Sequence, residues 1–107
     1  MNSFSSLFLS LSPIVTLRVH GKSMYPTFTE KDIVISFHKW FIKFKPGDIC
    51  ICRDPRTRRL LVKRIKDIKN NTYFVVGDNK MESTDSRDFG WLDRELLVGK
   101  VIYPRNK

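Results

Sequence analysis

At 107 residues, with 41% hydrophobic and 29% charged side chains, the chain supports one domain with a modest core and excludes a low-complexity or disordered protein. Twenty Lys and Arg against eleven Asp and Glu give a formal charge of +9, which favours acidic partners such as nucleic acid, anionic lipid or an acidic protein, without naming one.

The first stretch, "MNSFSSLFLSLSPIVTLRV", is the only candidate targeting segment. It lacks a Lys or Arg before Arg18, so the basic start of a secretory signal is missing, and its serines and Pro13 break the apolar run well short of the ~20 residues needed to span a bilayer. Phe4, Leu7, Phe8 and Leu11 follow helical spacing, with Pro13 as a stop. Residues 1–15 are therefore expected to form an apolar arm, docked on the domain or touching a membrane surface through those four side chains, and 16–107 to form the domain itself. No membrane anchor is evident, and a cytoplasmic location with at most peripheral membrane contact is expected.

From Thr16 onward the pattern is short and strand-like. "TLRV", "DIVISF", "DICICR", "LLVKRI", "TYFVV" and "LLVGKVIY" are rich in branched and aromatic residues, and "TEKD", "KPGD", "DPRTRR" and "KNN" between them carry turn chemistry. This predicts a mostly β, single antiparallel domain with a coiled or barrel-like sheet. Cys50 and Cys52, one residue apart, are poorly placed to bridge each other, and with no other cysteine they read as reduced packing residues rather than a metal or redox pair.

Three stretches carry candidate chemistry. In "GKSMYPTF", Ser23 sits in a constrained turn after Gly21 and before Pro26, where a hydroxyl and its own backbone N–H face the same space. By itself this is equally a plain turn. In "RRLLVKRIK", two-residue alternation puts Lys63 on one face with Leu61 and Ile65, where burial disfavours the ammonium. Neutrality near pH 7 would cost roughly 4 kcal/mol relative to the usual value near 10.4, a large share of a small domain's stability. The bland alternative is a lysine snorkelling from a sheet edge. The third stretch, "GDNKMESTDSRDFG", crowds turn residues, serines and an Asp-x-Arg pair into one loop, where Asp85 and Arg87 could pair and Ser83 or Ser86 could meet an amine.

In this order the three stretches resemble the signal peptidase I family of Ser-Lys endopeptidases, a β fold shared with LexA-like proteins. "SMYPT" is similar to the nucleophile box, "LLVKRI" to the general-base box and "GDNKMESTDSR" with "FG" to the closing box, and "KPGDICICRDP" is similar to the intervening strand. The resemblance spans about residues 16 to 104. It implies that Ser23 is the nucleophile and Lys63 the base, that Ser83 orients the amine, that Asp78, Asp85 and Arg87 hold the loop with help from Arg64, and that the Ser23 backbone N–H serves the oxyanion. No metal or cofactor is implied. The partner is a precursor protein whose N-terminal leader or propeptide is removed.

Some positions depart from the family. Gly21 stands where some members carry a serine hydroxyl for the oxyanion, and Lys31 precedes Asp32 where Gly-Asp is common, so a tighter turn is expected to be lost. The short spacer between Lys63 and Asp78 leaves no room for the subdomain of many bacterial members. Small size and the missing anchor make the chain most similar to the maturation proteases of nickel-type superoxide dismutase. A generic signal peptidase-like enzyme at a membrane surface is the alternative.

Other classes have specific signatures. LexA-like self-cleaving repressors share the Ser-Lys pair, but no helix-turn-helix precedes Ser23. A nucleic-acid module would use Arg53, Arg56, Arg58, Arg59, Lys63, Arg64, Lys66 and Lys69 with Trp40, Phe41 and Phe44, although a solvated hairpin explains the same charges and no nucleic-acid partner is expected. A Ser-His-Asp triad using His20 meets awkward strand geometry.

Overall fold

The structure, a computed structural model, describes residues 13–104. The expected helical spacing of Phe4, Leu7, Phe8 and Leu11 lies outside the described residues. Seven strands form one antiparallel sheet: β1 (Ile14–Arg18), β2 (Ile33–His38), β3 (Ile49–Arg53), β4 (Leu60–Lys69), β5 (Thr72–Val76), β6 (Leu92–Asp93) and β7 (Leu97–Tyr103). Their order is β1-β2-β7-β3-β4-β5-β6, and the sheet curls into a half-barrel. The strand β1 opens at Ile14, so the sheet takes in two residues that the sequence division left in the arm. A four-residue helix α1 (Ser86–Phe89) and single 3-10 turns at Lys39–Phe41 and Arg94–Leu96 complete the described elements.

Local chemistry explains the connections. Asn70 and Asn71 both take positive φ, which closes β4 onto β5 with the twist a two-residue hairpin requires. In "KPGD", Gly47 adopts φ 97°, and the Asp48 carboxylate accepts the Lys45 amide at 2.9 Å. The turn before β2 is retained rather than lost. Lys31 itself takes the left-handed conformation (φ 79°), while its amide donates to the Val19 carbonyl at 3.0 Å and Val19 donates to Asp32 at 2.7 Å. A glycine would adopt that conformation with less strain.

The core straddles β3. Ile49 and Ile51 join Val19, Met24, Phe28, Val34, Val62 and Val101 on one side, whereas Cys50 and Cys52 join Ile65, Tyr73, Val75, Leu92, Leu96 and Leu97 on the other. A strand buried on both faces reads as a continuous apolar run, which is what "ICIC" is. Both cysteines are free and buried, as packing residues. A hydrogen bond that the Cys50 thiol donates to Cys52, together with burial, pushes that thiol well above its ordinary value.

On β2, Val34 and Ser36 point inward while Ile33 and Phe37 face out. The buried Ser36 hydroxyl donates to the Val15 carbonyl at 3.1 Å. Beside it β2 and β7 approach so closely that a Cβ on Gly99 would lie 2.5 Å from the Phe37 carbonyl oxygen. Backbone cannot yield there without breaking the ladder. Gly99→Ala is therefore expected to lower stability by about 2 kcal/mol, measured by urea unfolding; an unchanged midpoint would show that β2 and β7 part easily.

Candidate active site

Ser23 reaches the site through a turn held from both sides. Inside, Met24 and Phe28 are buried at 1% and 0% exposure and tie "MYPTF" to the first core cluster. A short helical loop follows, with the Phe28 amide donating to the Met24 carbonyl at 2.9 Å. From outside, the Asn79 amide donates to the Ser23 carbonyl at 2.8 Å, and the Asn79 side-chain amide donates to the Lys22 carbonyl at 3.0 Å.

Lys63 comes from the middle of β4. It lies opposite Cys50 in the ladder and shares its face with Leu61 and Ile65, so the alternation that placed it among apolar residues holds. Only 2% of its surface is exposed. Burial lowers its pKa from the ordinary lysine value, against the opposing pull of the Asp85 charge.

The amine rests on the closing loop. Lys63 Nζ donates to Ser83 Oγ at 3.1 Å, and Ser83 Oγ donates in turn to Asp85 Oδ2 at 2.6 Å. Asp85 is fully buried and accepts from the Gly77 amide at 2.8 Å and from Arg87 Nε and Nη2 at 2.9 and 2.6 Å. Burial works against its charge, yet Arg87, the Ser83 hydroxyl and these amides hold its carboxyl well below the usual carboxylate range. Asp85 also caps α1, whose Asp88 carboxylate accepts the Asp85 amide at 3.1 Å. Of the two loop serines, Ser83 meets the amine; Ser86 instead accepts the Val75 amide at 2.8 Å and fastens the loop to β5.

Asp78 and Arg64 form a second clamp. Arg64 Nε and Nη2 each donate to Asp78 at 2.8 Å, and Arg64 Nη1 reaches the Gly47 carbonyl at 2.9 Å. Thr27 Oγ1 donates to the same carboxylate at 2.5 Å. Burial of Asp78 is outweighed by these donors, which lower its pKa. Gly77 is where the parts converge, since a Cβ there would lie 2.2 Å from Ser83 Oγ and 2.6 Å from the Ser23 carbonyl oxygen.

Thus Gly77, Asp78 and Asn79 each touch or clip the serine turn or its neighbours. Thr27 and Asn79 were not singled out from the sequence; Asn79 stood in the quoted loop, and only folding shows what its amide reaches. Lys63 and Arg64 leave the proposed basic hairpin, one buried and the other paired, and Phe44 packs edge-on against Tyr73 instead of standing free for stacking.

Ser23, Lys63 and Ser83 line one cavity of about 510 Å³ together with His20, Gly21, Lys22, Asp54, Thr57, Arg59, Leu61, Glu82 and Thr84. A smaller cavity of about 110 Å³ adjoins it, walled by residues 17–20 at the end of β1, by Ser23 and Met24, and by residues 59–62 at the start of β4. Among the described residues no cluster of His, Cys, Asp and Glu is arranged to hold a metal ion, and no helix is long and apolar enough to cross a membrane.

The family model described as "Signal peptidase, peptidase S26" matches residues 65–105, a span that takes in the closing loop and stops short of Ser23 and Lys63. Over more of the chain, it is 30% identical to the mitochondrial ATP-independent inner membrane protease subunit 1a of Arabidopsis thaliana, covering 83% of this chain and 68% of that protein. It is 29% identical to the mitochondrial inner membrane protease subunit 2 of Schizosaccharomyces pombe, covering 78% of this chain and 60% of the relative. A segment of 36 residues is 47% identical to signal peptidase IB of Staphylococcus aureus, covering 34% of this chain and 19% of that enzyme. The chain belongs to the S26 signal peptidase family of serine endopeptidases.

The charged groups make two predictions. A carboxyl with a lowered folded pKa stabilises above its unfolded value near 3.9 and loses that contribution as pH falls toward the folded value. The stability gap between wild type and Asp85→Asn, about 2 kcal/mol at neutral pH, should narrow below about pH 4; a gap unchanged in strong acid would mean the carboxylate is not what the loop uses. For Lys63 the lowered folded pKa means that the unfolded chain binds more protons, so stability rises with pH up to about 10.4. Lys63→Met removes that burden and should raise stability at pH 7 by about 1 kcal/mol, and a fall in the urea midpoint would contradict it.

Proposed function

We propose that the chain is a Ser-Lys endopeptidase that removes an N-terminal leader or propeptide from a precursor protein. The observation that carries this is a buried lysine that lines one cavity with Ser23, its amine held by Ser83. A neutral amine has two N–H groups and one lone pair. Lys63 spends an N–H on Ser83, whose own proton is committed to Asp85, and its lone pair remains for the Ser23 hydroxyl.

In the first step Lys63 takes the Ser23 proton as Oγ attacks the scissile carbonyl. It then passes that proton to the departing amine, and a water activated by the same nitrogen releases the acyl group. Charge on the tetrahedral oxygen is met by the Ser23 backbone N–H, Gly21 having no hydroxyl to add. Ser83 and Asp85 fix the amine, Arg87 balances Asp85, and Asp78 with Arg64 fixes the loop beside the serine turn.

The small cavity suggests how a precursor is held. Among the described residues β1 pairs only with β2, and β5 joins β4 only from Arg64 onward, so the strand ends that border the cavity are each paired on one side and open on the other. An extended peptide laid there would complete both edges with main-chain hydrogen bonds and bring its carbonyl to Ser23.

The nickel-type superoxide dismutase precursor is the specific substrate proposed from the sequence resemblance. A signal peptidase-like role at a membrane surface has its own support, because Ile33, Phe37, Trp40, Phe41 and Tyr103 expose large apolar side chains, and two relatives are named as inner membrane proteases. Incubating the protein with that precursor, and with a leader-bearing precursor presented on anionic vesicles, then sequencing the new N-terminus, separates the two. Ser23→Ala and Lys63→Met should each lower kcat/KM at least about 1,000-fold, and activity should rise with pH through the lowered Lys63 pKa. Normal cleavage by Lys63→Met together with its loss in His20→Ala would move the base to His20.

A further inference from the structure

The wall of the cleft facing Ser23 carries a charge that this chemistry does not use. Arg59 lines both the 110 Å³ and the 510 Å³ cavities. Its backbone is firmly placed: the Asp54 amide donates to the Arg59 carbonyl at 2.9 Å, and the Arg59 amide donates to Thr57 Oγ1 at 3.3 Å. Its guanidinium has no hydrogen-bond or ion-pair partner among the described residues.

The neighbouring arginines behave differently. Arg53 donates to the Arg58 carbonyl at 2.8 Å, and Arg56 pairs with the buried Asp54 at 3.3 Å while lying over the Phe89 ring. Arg58 lines neither cavity. Within the larger cavity Asp54 is matched by Arg56, Lys22 and Glu82 have opposite signs, and burial favours the uncharged form of Lys63. Of the cations lining the larger cavity, Arg59 is the one that also borders the smaller. Around it the smaller cavity mixes apolar walls, Leu17, Val19, Met24, Leu61 and Val62, with polar ones, and its other cation, Arg18, donates to the Lys31 carbonyl at 3.3 Å.

We propose that Arg59 is a specificity-determining residue that selects precursor segments bearing an Asp or Glu side chain within a few residues of the bond presented to Ser23. This rests on the peptidase reading for its substrate class, and on the turn geometry for its chemistry. A guanidinium offers a planar fork of donors that a carboxylate matches with two hydrogen bonds, whereas a carboxamide of the same shape gains no charge pairing. A peptide lying in the cleft would displace water from the pair and strengthen it against the apolar wall.

Binding to the Ser23→Ala protein, which holds peptides uncut, provides the test. Fluorescence anisotropy would use labelled decapeptides of Ala, Val and Ser carrying one Asp, or one Asn in the same place, with that place moved along the peptide. At one or two places the Asp peptide should bind about tenfold tighter, and less so as salt rises. That preference should vanish in Ser23→Ala/Arg59→Met, return in part in Ser23→Ala/Arg59→Lys, and turn toward a Lys-bearing peptide in Ser23→Ala/Arg59→Glu. Equal affinity within every pair, no binding of any peptide, or an Asp preference that survives Arg59→Met and Arg59→Glu overturns the inference. Cleavage is read separately with Ser23 intact. Failure to cut a peptide bound with an Arg59-dependent preference counts against the Ser-Lys reading alone, while equal cutting of Asp and Asn peptides counts against Arg59 alone.

Discussion

The burial of one amine organises this small domain. Lys63 lies on β4 where a leucine or valine would pack more easily, and every polar partner near it is arranged to make that position tolerable. Ser83 takes one N–H, Asp85 takes the Ser83 proton, and Arg87 with the Gly77 amide keeps Asp85 ionised. Remove the outermost member and each inner one loses the partner that fixes its direction. A buried polar chain of this kind stabilises only when complete, which is why the loop that carries it is stitched at both ends, by the Asp88 cap on α1 and by Ser86 on β5.

The same loop links two parts of the chain that meet only on folding. The serine turn is separated from the loop by more than fifty positions in Thr27–Asp78 and in Asn79–Lys22, where the separations are 51 and 57 residues. Through these clips the backbone of the Ser23 turn is tied to the loop that supports Lys63. The span matched by the family model, residues 65 to 105, holds the loop, its Asp88 cap, its Ser86 tie to β5 and the last strand of the sheet, while Thr27, Lys22 and Arg64, which clip the loop, lie before it.

Much of this was legible in sequence because its signals are local. Alternation in "DIVISF" and "LLVKRI" found strands and put Lys63 on the face it occupies. The asparagine pair announced its hairpin. Less legible was anything that depends on a distant partner. Asn79 looked like an ordinary turn residue, Ser83 and Ser86 were interchangeable as amine partners until the family resemblance pointed to Ser83, and Lys31 was expected to spoil a turn that two backbone hydrogen bonds hold in place. The two-residue strand β6 has too few positions to show any period, and it exists only through its pairing with Thr72 and Tyr73. The eight cations near the hairpin looked alike in sequence; in space one is a core residue, several are structural ties and Arg59 alone borders both cavities.

Gly77 illustrates what such compactness means for change over time. The hydrogen that serves as its side chain fills the only room between a carbonyl of the serine turn and a hydroxyl under the lysine. Any larger group would wedge the two halves of the centre apart in a single event, whatever became of the groups that perform chemistry. A chain with a different residue there would have to rebuild the loop and the turn together.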